Sequence, residues 1–359
     1  MVHAVSRCVR RAWLCGRDPY DGRDYQHRRG WVRDRVRELA GVFAIEVCAY
    51  AIMSNHSHLV LWCRPSVAGG WSAEEVARRW LRLFGRRDAG LEEKVRELAG
   101  DARRVAVCRG RLGSVSWFMR CLNERIARRA NAEDGCTGRF WEGRFKCQVL
   151  EDEGALVACM AYVDLNPVRA KVAGSLEGSV FTSVHDRLAG RQGRAALAAL
   201  AGGQGVGAGQ AGGEAAAGVA GKKPGQAGRA PGAGAPPRRA KALEAARVAA
   251  QADAWLCRMD DADGGGSGRP TVLGIGTDGY LALVDWTGRN LAKGRRGALP
   301  AGRWYEAQGS VKTETGVGIA VAGRGRSRAM SVGRGQSAWG AGRRAIVAIE
   351  AEPLPRWGG

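Results

Sequence analysis

Ala49-Tyr50-Ala51-Ile52-Met53-Ser54-Asn55-His56-Ser57-His58-Leu59-Val60-Leu61-Trp62 is the stretch on which the fold turns. Phe43 to Ala51 alternates and is rich in β-formers, Ser54-Asn55 is a tight turn, and His56 to Cys63 is the next strand. On a strand, residues i and i+2 point to the same face. His56 and His58 therefore present two imidazoles side by side, a ready pair of ligands for a divalent metal. Two ordinary strand-edge histidines would look the same, so the surrounding chain has to decide. The other three histidines, His3, His27 and His185, lie elsewhere in the sequence.

Upstream, Val2 to Val9 forms a short strand, and Gly16 to Gly22 a loop rich in Gly, Pro and Asp. Gln26 to Leu39 turns helical, with Trp31, Val32, Val36 and Leu39 on one side, Arg on the other, and Gly41 as the stop. Strand, helix, strand, turn, strand predicts an α/β (α+β) class: a ferredoxin-like or RRM-like antiparallel sheet with helices on one face. Downstream, Ser72 and Glu75 make a capping box for a helix to about Phe84, and a charged helix covers Leu91 to Leu98. Ser116 to about Ala130 carries Trp117, Phe118, Cys121, Leu122 and Ile126 on its apolar side. Arg120, Arg125, Arg128 and Arg129 line the rest, as a solvated face or as phosphate contacts. Gly138 to Leu150 interleaves Arg139, Arg144 and Lys146 with aromatic residues over a predicted strand. Such a strand borders a nucleic-acid groove or packs its rings inward. A helix follows from Gly154 to about Leu165, and Asn166-Pro167 is expected to stop it.

The 359 residues carry a formal net charge of +21. Residues 1–187 hold 32 Lys and Arg against 23 Asp and Glu, and the remainder 24 against 12, so both parts are basic. Almost all of that charge is Arg, which bonds phosphate bidentately and stacks on bases, so a polyanion such as nucleic acid is the natural partner. A coding bias toward Arg, Gly and Ala would raise the charge too, and the 54 glycines fit it. No apolar run is long enough for a membrane span and no signal peptide is visible. The ten scattered cysteines contain no CxxC pair and read as reduced thiols of a cytoplasmic, nucleoid-associated protein. The expected organisation is a catalytic domain over 1–187, a disordered Gly/Ala/Pro-rich linker over 188–240, a small helical element over 241–307 and a disordered tail over 308–359.

Tyr162 and Asn166, four residues apart on a helix, share a face. A tyrosine beside a metal-binding histidine pair suits phosphoryl chemistry: the phenol oxygen attacks a phosphodiester, leaving a phosphotyrosine link and a free 3′-hydroxyl. A carboxamide oxygen from Asn166 completes a site for Mg²⁺ or Mn²⁺. Taken alone, Tyr162 is equally a core tyrosine on an amphipathic helix.

Three stretches in order, Met53-Ser54-Asn55-His56-Ser57-His58-Leu59-Val60-Leu61, Gly138-Arg139-Phe140-Trp141-Glu142-Gly143-Arg144-Phe145-Lys146 and Ala161-Tyr162-Val163-Asp164-Leu165-Asn166-Pro167-Val168-Arg169-Ala170, resemble the single-tyrosine HUH transposases. The match is to the branch of REP-associated tyrosine transposases and covers roughly residues 1–187. The resemblance implies a Mg²⁺- or Mn²⁺-dependent nuclease and strand transferase acting on single-stranded or hairpin DNA. Tyr162 is then the nucleophile, His56 and His58 are metal ligands, and Asn166 is the third ligand. A homodimer is an alternative to a monomer, since in this superfamily the tyrosine helix can complete its own site or its neighbour's. A degenerate transposase that binds DNA hairpins without cutting them is the alternative function. Two departures stand out. Ser57 replaces a residue that is usually bulky and apolar, and 104 residues (162 − 58) separate His58 from Tyr162, more than in compact members.

Overall fold

The computed structural model describes residues 1–9, 14–17, 22–84, 90–202, 237–261 and 271–290. Four strands, β1 (Val2–Arg7), β2 (Ile45–Ile52), β3 (His56–Cys63) and β4 (Lys146–Val149), form one antiparallel sheet in the order β2-β3-β1-β4. β1 runs beside β3 with Ala4 opposite Leu59, Val5 opposite His58 and Arg7 opposite His56. This register sorts the side chains onto two faces. Ala4, Ser6, Ser57, Leu59 and Leu61 share one; His3, Val5, His56, His58 and Val60 share the other.

Helix α1 (Arg28–Ala40) connects β1 to β2. Between β3 and β4 lie α2 (Pro65–Gly69), α3 (Ala73–Phe84), α4 (Leu91–Gly100), α5 (Ala102–Leu112) and α6 (Val115–Glu133). Ser72 caps α3, its Oγ accepting from Glu75 N at 3.1 Å, but the other half of the capping box is replaced: the Glu75 carboxylate accepts from Arg79 at 2.6 Å. The core joins Val32, Val36 and Leu39 of α1 with Phe118, Leu122 and Ile126 of α6 over Ala4, Leu59 and Leu61. Two arginines of α1 are buried rather than solvated: Arg28, 1% exposed, is held by Glu133 and Asp134, and Arg35 donates to the Cys121 carbonyl at 3.3 Å.

The expectation of helices on one face is corrected by α7 (Glu153–Asp164), which covers the opposite face, that of the imidazoles. Leu156 to Ala161 is buried all round, as an apolar helix must be when both its sides are covered. Ala49 and Ala51, opposite Val60 and His58, keep this face of β2 low enough for a helix to lie on it. α7 ends at Asp164 with Leu165 as its C-cap, as Asn166-Pro167 led us to expect. A separate short helix, α8 (Asn166–Arg169), starts there with Pro167 in its first turn, where a missing N–H costs no hydrogen bond. The predicted strand over Gly138 to Leu150 shrinks to β4. Phe140 is buried and Trp141 Nε1 donates to Asn123 O at 2.8 Å, so these rings turn inward, while the backbone keeps an isolated bridge between Trp141 and Cys8.

By its contacts the chain divides into Met1–Arg187 with Trp255 onward, and a second unit, Leu188–Ala254. The linker expected over 188–240 is corrected at both ends: α9 (Ser183–Gly202) runs through its start and α10 (Pro237–Ala250) begins inside it. Residues 203–236 lie outside the described ones, as does the tail over 308–359. Within the second unit α9 and α10 pack at Gly193, where an added Cβ would sit 2.2 Å from Ala250 N. The element expected over 241–307 is likewise divided, with α10 in the second unit and α11 (Thr277–Arg289) in the first. In the first unit, Cys257 N donates to Val47 O at 2.9 Å, covering the outer edge of β2. Gly274 N donates to Glu153 at 2.9 Å, and Tyr280 of α11 donates to Asp164 at 2.7 Å, so this segment grips α7 near both ends. Among the described residues no helix is long and apolar enough to cross a membrane.

Candidate active site

Strand alternation places His56 and His58 on one face, and their ring centroids stand 4.8 Å apart. α7 brings Tyr162 onto the same spot, its ring 6.0 Å from that of His58. Asp152 caps the start of α7, accepting from Ala155 N at 2.7 Å, which sets where Tyr162 falls along the helix. Asp164 points away from this site. It is fully buried and accepts from Ser183 Oγ, from Val184 N at 2.9 Å and from Tyr280.

The histidine side chains are oriented by their unused nitrogens. His56 Nδ1 donates to Asn55 Oδ1 at 2.7 Å, leaving its Nε2 lone pair as the available donor. His58 Nδ1 meets His3 Nε2 at 3.0 Å, and His58 Nε2 is buried with no hydrogen-bond partner. The Asn166 amide nitrogen is also buried and without a partner, and turning the amide over puts the oxygen in its place. Two imidazole nitrogens and a carboxamide fit a hexacoordinate ion such as Mn²⁺ or Mg²⁺ that keeps open positions for oxygen. No group of three or more His, Cys, Asp or Glu side chains is arranged to hold a metal among the described residues. A divalent ion there would need a donor of another type beside the two imidazoles.

Burial lowers the His3 and His56 pKa values to about 4, with Arg7 adding to the effect at His56. His58 lies well below the ordinary imidazole value, through burial first and then repulsion from His56, His3 and Arg169. All three are neutral at pH 7, the form that binds a metal. The unfolded chain protonates these groups near pH 6.5, well above where they take up a proton in the folded state. Between pH 6.5 and 4 the unfolded state thus binds more protons, and stability falls as pH falls. Asp164 and Asp186, raised by burial, oppose this but are fewer. Urea unfolding of the metal-free protein is expected to shift to a lower midpoint from pH 7 to 4.5, with His3 and His56 each costing up to about 3 kcal/mol at full titration. A midpoint that holds or rises over that range would contradict the burial of these imidazoles.

Three site residues were missed in the sequence. His3 comes from β1, 55 residues from His58, and its ring stacks on His58 at 5.2 Å. Arg169 places its guanidinium 4.6 Å from the centre of the Tyr162 ring. Arg7 stands opposite His56 on the neighbouring strand. For Arg169 the signal was its spacing of seven from Tyr162, two helical turns on; for His3 and Arg7 no local signal exists, because strand pairing is not local.

The basic residues divide. Lys146 is opposite Val5, which itself pairs with His58, so it belongs to the imidazole face. Arg139 and Arg144 are exposed in the segment leading to β4. Arg120, Arg125, Arg128 and Arg129 lie on the exposed side of α6, with the sheet between them and the imidazoles, and line a groove with Leu83, Phe84 and Trp117. Glu124 engages Arg120 and Arg128 there, at 3.5 and 2.5 Å. These four therefore do not join the site.

Ser57 is buried on the α6 side, opposite Ser6, whose Oγ accepts from Asn123 at 2.8 Å. A small polar residue suits that neighbourhood. Ser57→Phe is expected to destabilise the fold by about 1–3 kcal/mol through overpacking. Equal or greater stability in a thermal melt would show that a large side chain is accommodated there.

Comparison with known proteins returns no matching family model, no matching curated protein and no matching solved structure.

Proposed function

We propose that this chain is a metal-dependent enzyme that nicks and joins single-stranded DNA at hairpin or palindromic sequences through a 5′-phosphotyrosine link. The observation that carries the reading is the packing of Tyr162 against His58, from elements 104 residues apart (162 − 58), beside a buried imidazole nitrogen that lacks a partner. The strand order and the crossover helices α1 and α6 support a ferredoxin-like fold, with α7 as an added nucleophile helix on the open face.

In this reading the Tyr162 oxygen attacks phosphorus and forms a P–O bond, and the bond to the 3′-oxygen breaks. The 5′-phosphate stays on the tyrosine and the other strand end leaves as a 3′-hydroxyl. A second 3′-hydroxyl attacking the same phosphorus releases Tyr162 and joins the strands. His56, His58 and Asn166 would hold a Mg²⁺ or Mn²⁺ ion, which when bound draws charge from the scissile phosphate. Arg169, over the Tyr162 ring, and Arg7, beside His56, put positive charge where the phosphate must lie. Lys146, with Arg139 and Arg144, offers contacts for the flanking backbone.

A covalent-adduct assay tests the proposal. Full-length protein, hairpin DNA with a single-stranded flank and Mn²⁺ are expected to give a denaturation-resistant protein–DNA band that disappears with chelator. Hairpin binding with no adduct under any divalent ion would instead favour a DNA-binding protein without nuclease activity.

A further inference from the structure

Resting on the proposed metal site, we infer that His3 is a positioning residue which fixes His58 in the tautomer and orientation that offers Nε2 to a metal. His3 Nε2 and His58 Nδ1 lie 3.0 Å apart, and the two ring planes are 17° from parallel. One of these nitrogens donates to the other. If His3 donated, His58 would carry its proton on Nε2, and that N–H would be buried without an acceptor. In that tautomer Nε2 has no lone pair to offer a cation. The reverse arrangement, with His58 Nδ1–H donating to His3, leaves a lone pair on His58 Nε2. A lone pair aimed into an ion site is what ligation requires.

His3 is not itself placed as a ligand. Its Nε2 is taken up by His58, and the three imidazoles do not form a three-ligand group. The pairing is also built into the sheet. Residue 3 lies on β1 opposite Val60 and residue 58 opposite Val5, so the two side chains meet diagonally across the same face. Outer partners of this kind hold a ligating imidazole in place, and their loss typically lowers metal affinity about 10–100-fold.

The test is Mn²⁺ binding to the full chain, followed by the free-ion electron paramagnetic resonance signal, with no DNA present. His3→Ala is expected to weaken Mn²⁺ about 10–100-fold. His3→Gln, whose amide oxygen can occupy the place of Nε2 and accept from His58, is expected to recover most of that loss. Affinity unchanged in His3→Ala but lost in His58→Ala overturns this inference and leaves the metal site standing. Affinity unchanged in both removes the metal site itself. A His3→Gln variant that folds yet binds as weakly as His3→Ala also overturns it. Nitrogen-15 shifts of the wild-type imidazoles read the tautomer without any substitution: a proton on His58 Nε2 in place of Nδ1 overturns the assignment even if His3→Ala fails to fold.

Discussion

Tyr162→Phe is expected to remove the covalent protein–DNA adduct, lowering its formation at least about 10³-fold, while Mn²⁺ binding and stability stay close to wild type. The substitution deletes one oxygen and keeps the ring. The contacts of that ring with His58, His3 and Arg169 are through its faces and edges, so they survive. No other tyrosine among the described residues can take over. Tyr50 and Tyr280 are fully buried, with hydroxyls donated to Asp186 and Asp164, and burial raises both phenols well above their ordinary pKa. Tyr25 is buried as well. Tyr162 is the only described tyrosine outside the buried class. Denaturing electrophoresis with end-labelled hairpin DNA reads the adduct directly. An adduct of wild-type yield in the Phe variant would move the nucleophile elsewhere and end the proposed mechanism. The companion His56→Ala variant tests the ion: cleavage that persists in it would dismiss the metal assignment while sparing the nucleophile.

Asp164→Ala is expected to cost about 3–5 kcal/mol of stability. Its carboxylate has no solvent exposure and receives three donors from three segments: Ser183 and Val184 at the start of α9, and Tyr280 on α11. Alanine leaves all three donors stranded in a site that water does not reach. It also removes one of the charges that act on the buried Arg187, which donates to the carbonyls of Cys48 and Cys257. Asp164→Asn keeps one acceptor oxygen and is expected to lose less, because only part of the donor set is then unmet. Urea unfolding at pH 7 compares the two. A loss below about 1 kcal/mol for the Ala variant would mean that the donors find other partners on relaxation. Since Asp164 sits two residues after Tyr162, the same variant should also broaden the position of the nucleophile, seen as a slower adduct rate in protein that remains folded.

Much of the sheet was legible before any coordinates. The alternation from Phe43 to Cys63, broken by Ser54-Asn55, is a hairpin whose period of two marks both strands. That same period put His56 and His58 on one face. The Ser72 cap and the apolar side of the helix through Phe118 and Leu122 are local patterns, and both appear where they were expected. Other patterns have two physical outcomes that sequence neighbours do not separate. Gly138 to Leu150 mixes rings and cations, and only the core space beside α6 decided that Phe140 and Trp141 turn inward. Asn166-Pro167 did end α7, and what the sequence left unstated is that proline in a first turn removes no hydrogen bond, so a short α8 follows.

By itself, the sequence determined the pairing of two imidazoles, the Tyr162–Asn166 spacing and the basic character of the chain, because each depends on neighbours within one strand, one helical turn or the composition. Tertiary structure alone decided that His3 meets His58, that α7 takes the open face of the sheet, and that the segment after Trp255 closes over Asp164. Those outcomes rest on strand register and on which apolar surfaces find one another across 50 to more than 100 residues of chain. Nothing in the periodicity of one element specifies its partner. The same packing separated the arginines of α6 from the imidazoles, since a helix commits its apolar side to one face of the sheet and turns its charges to the water beyond.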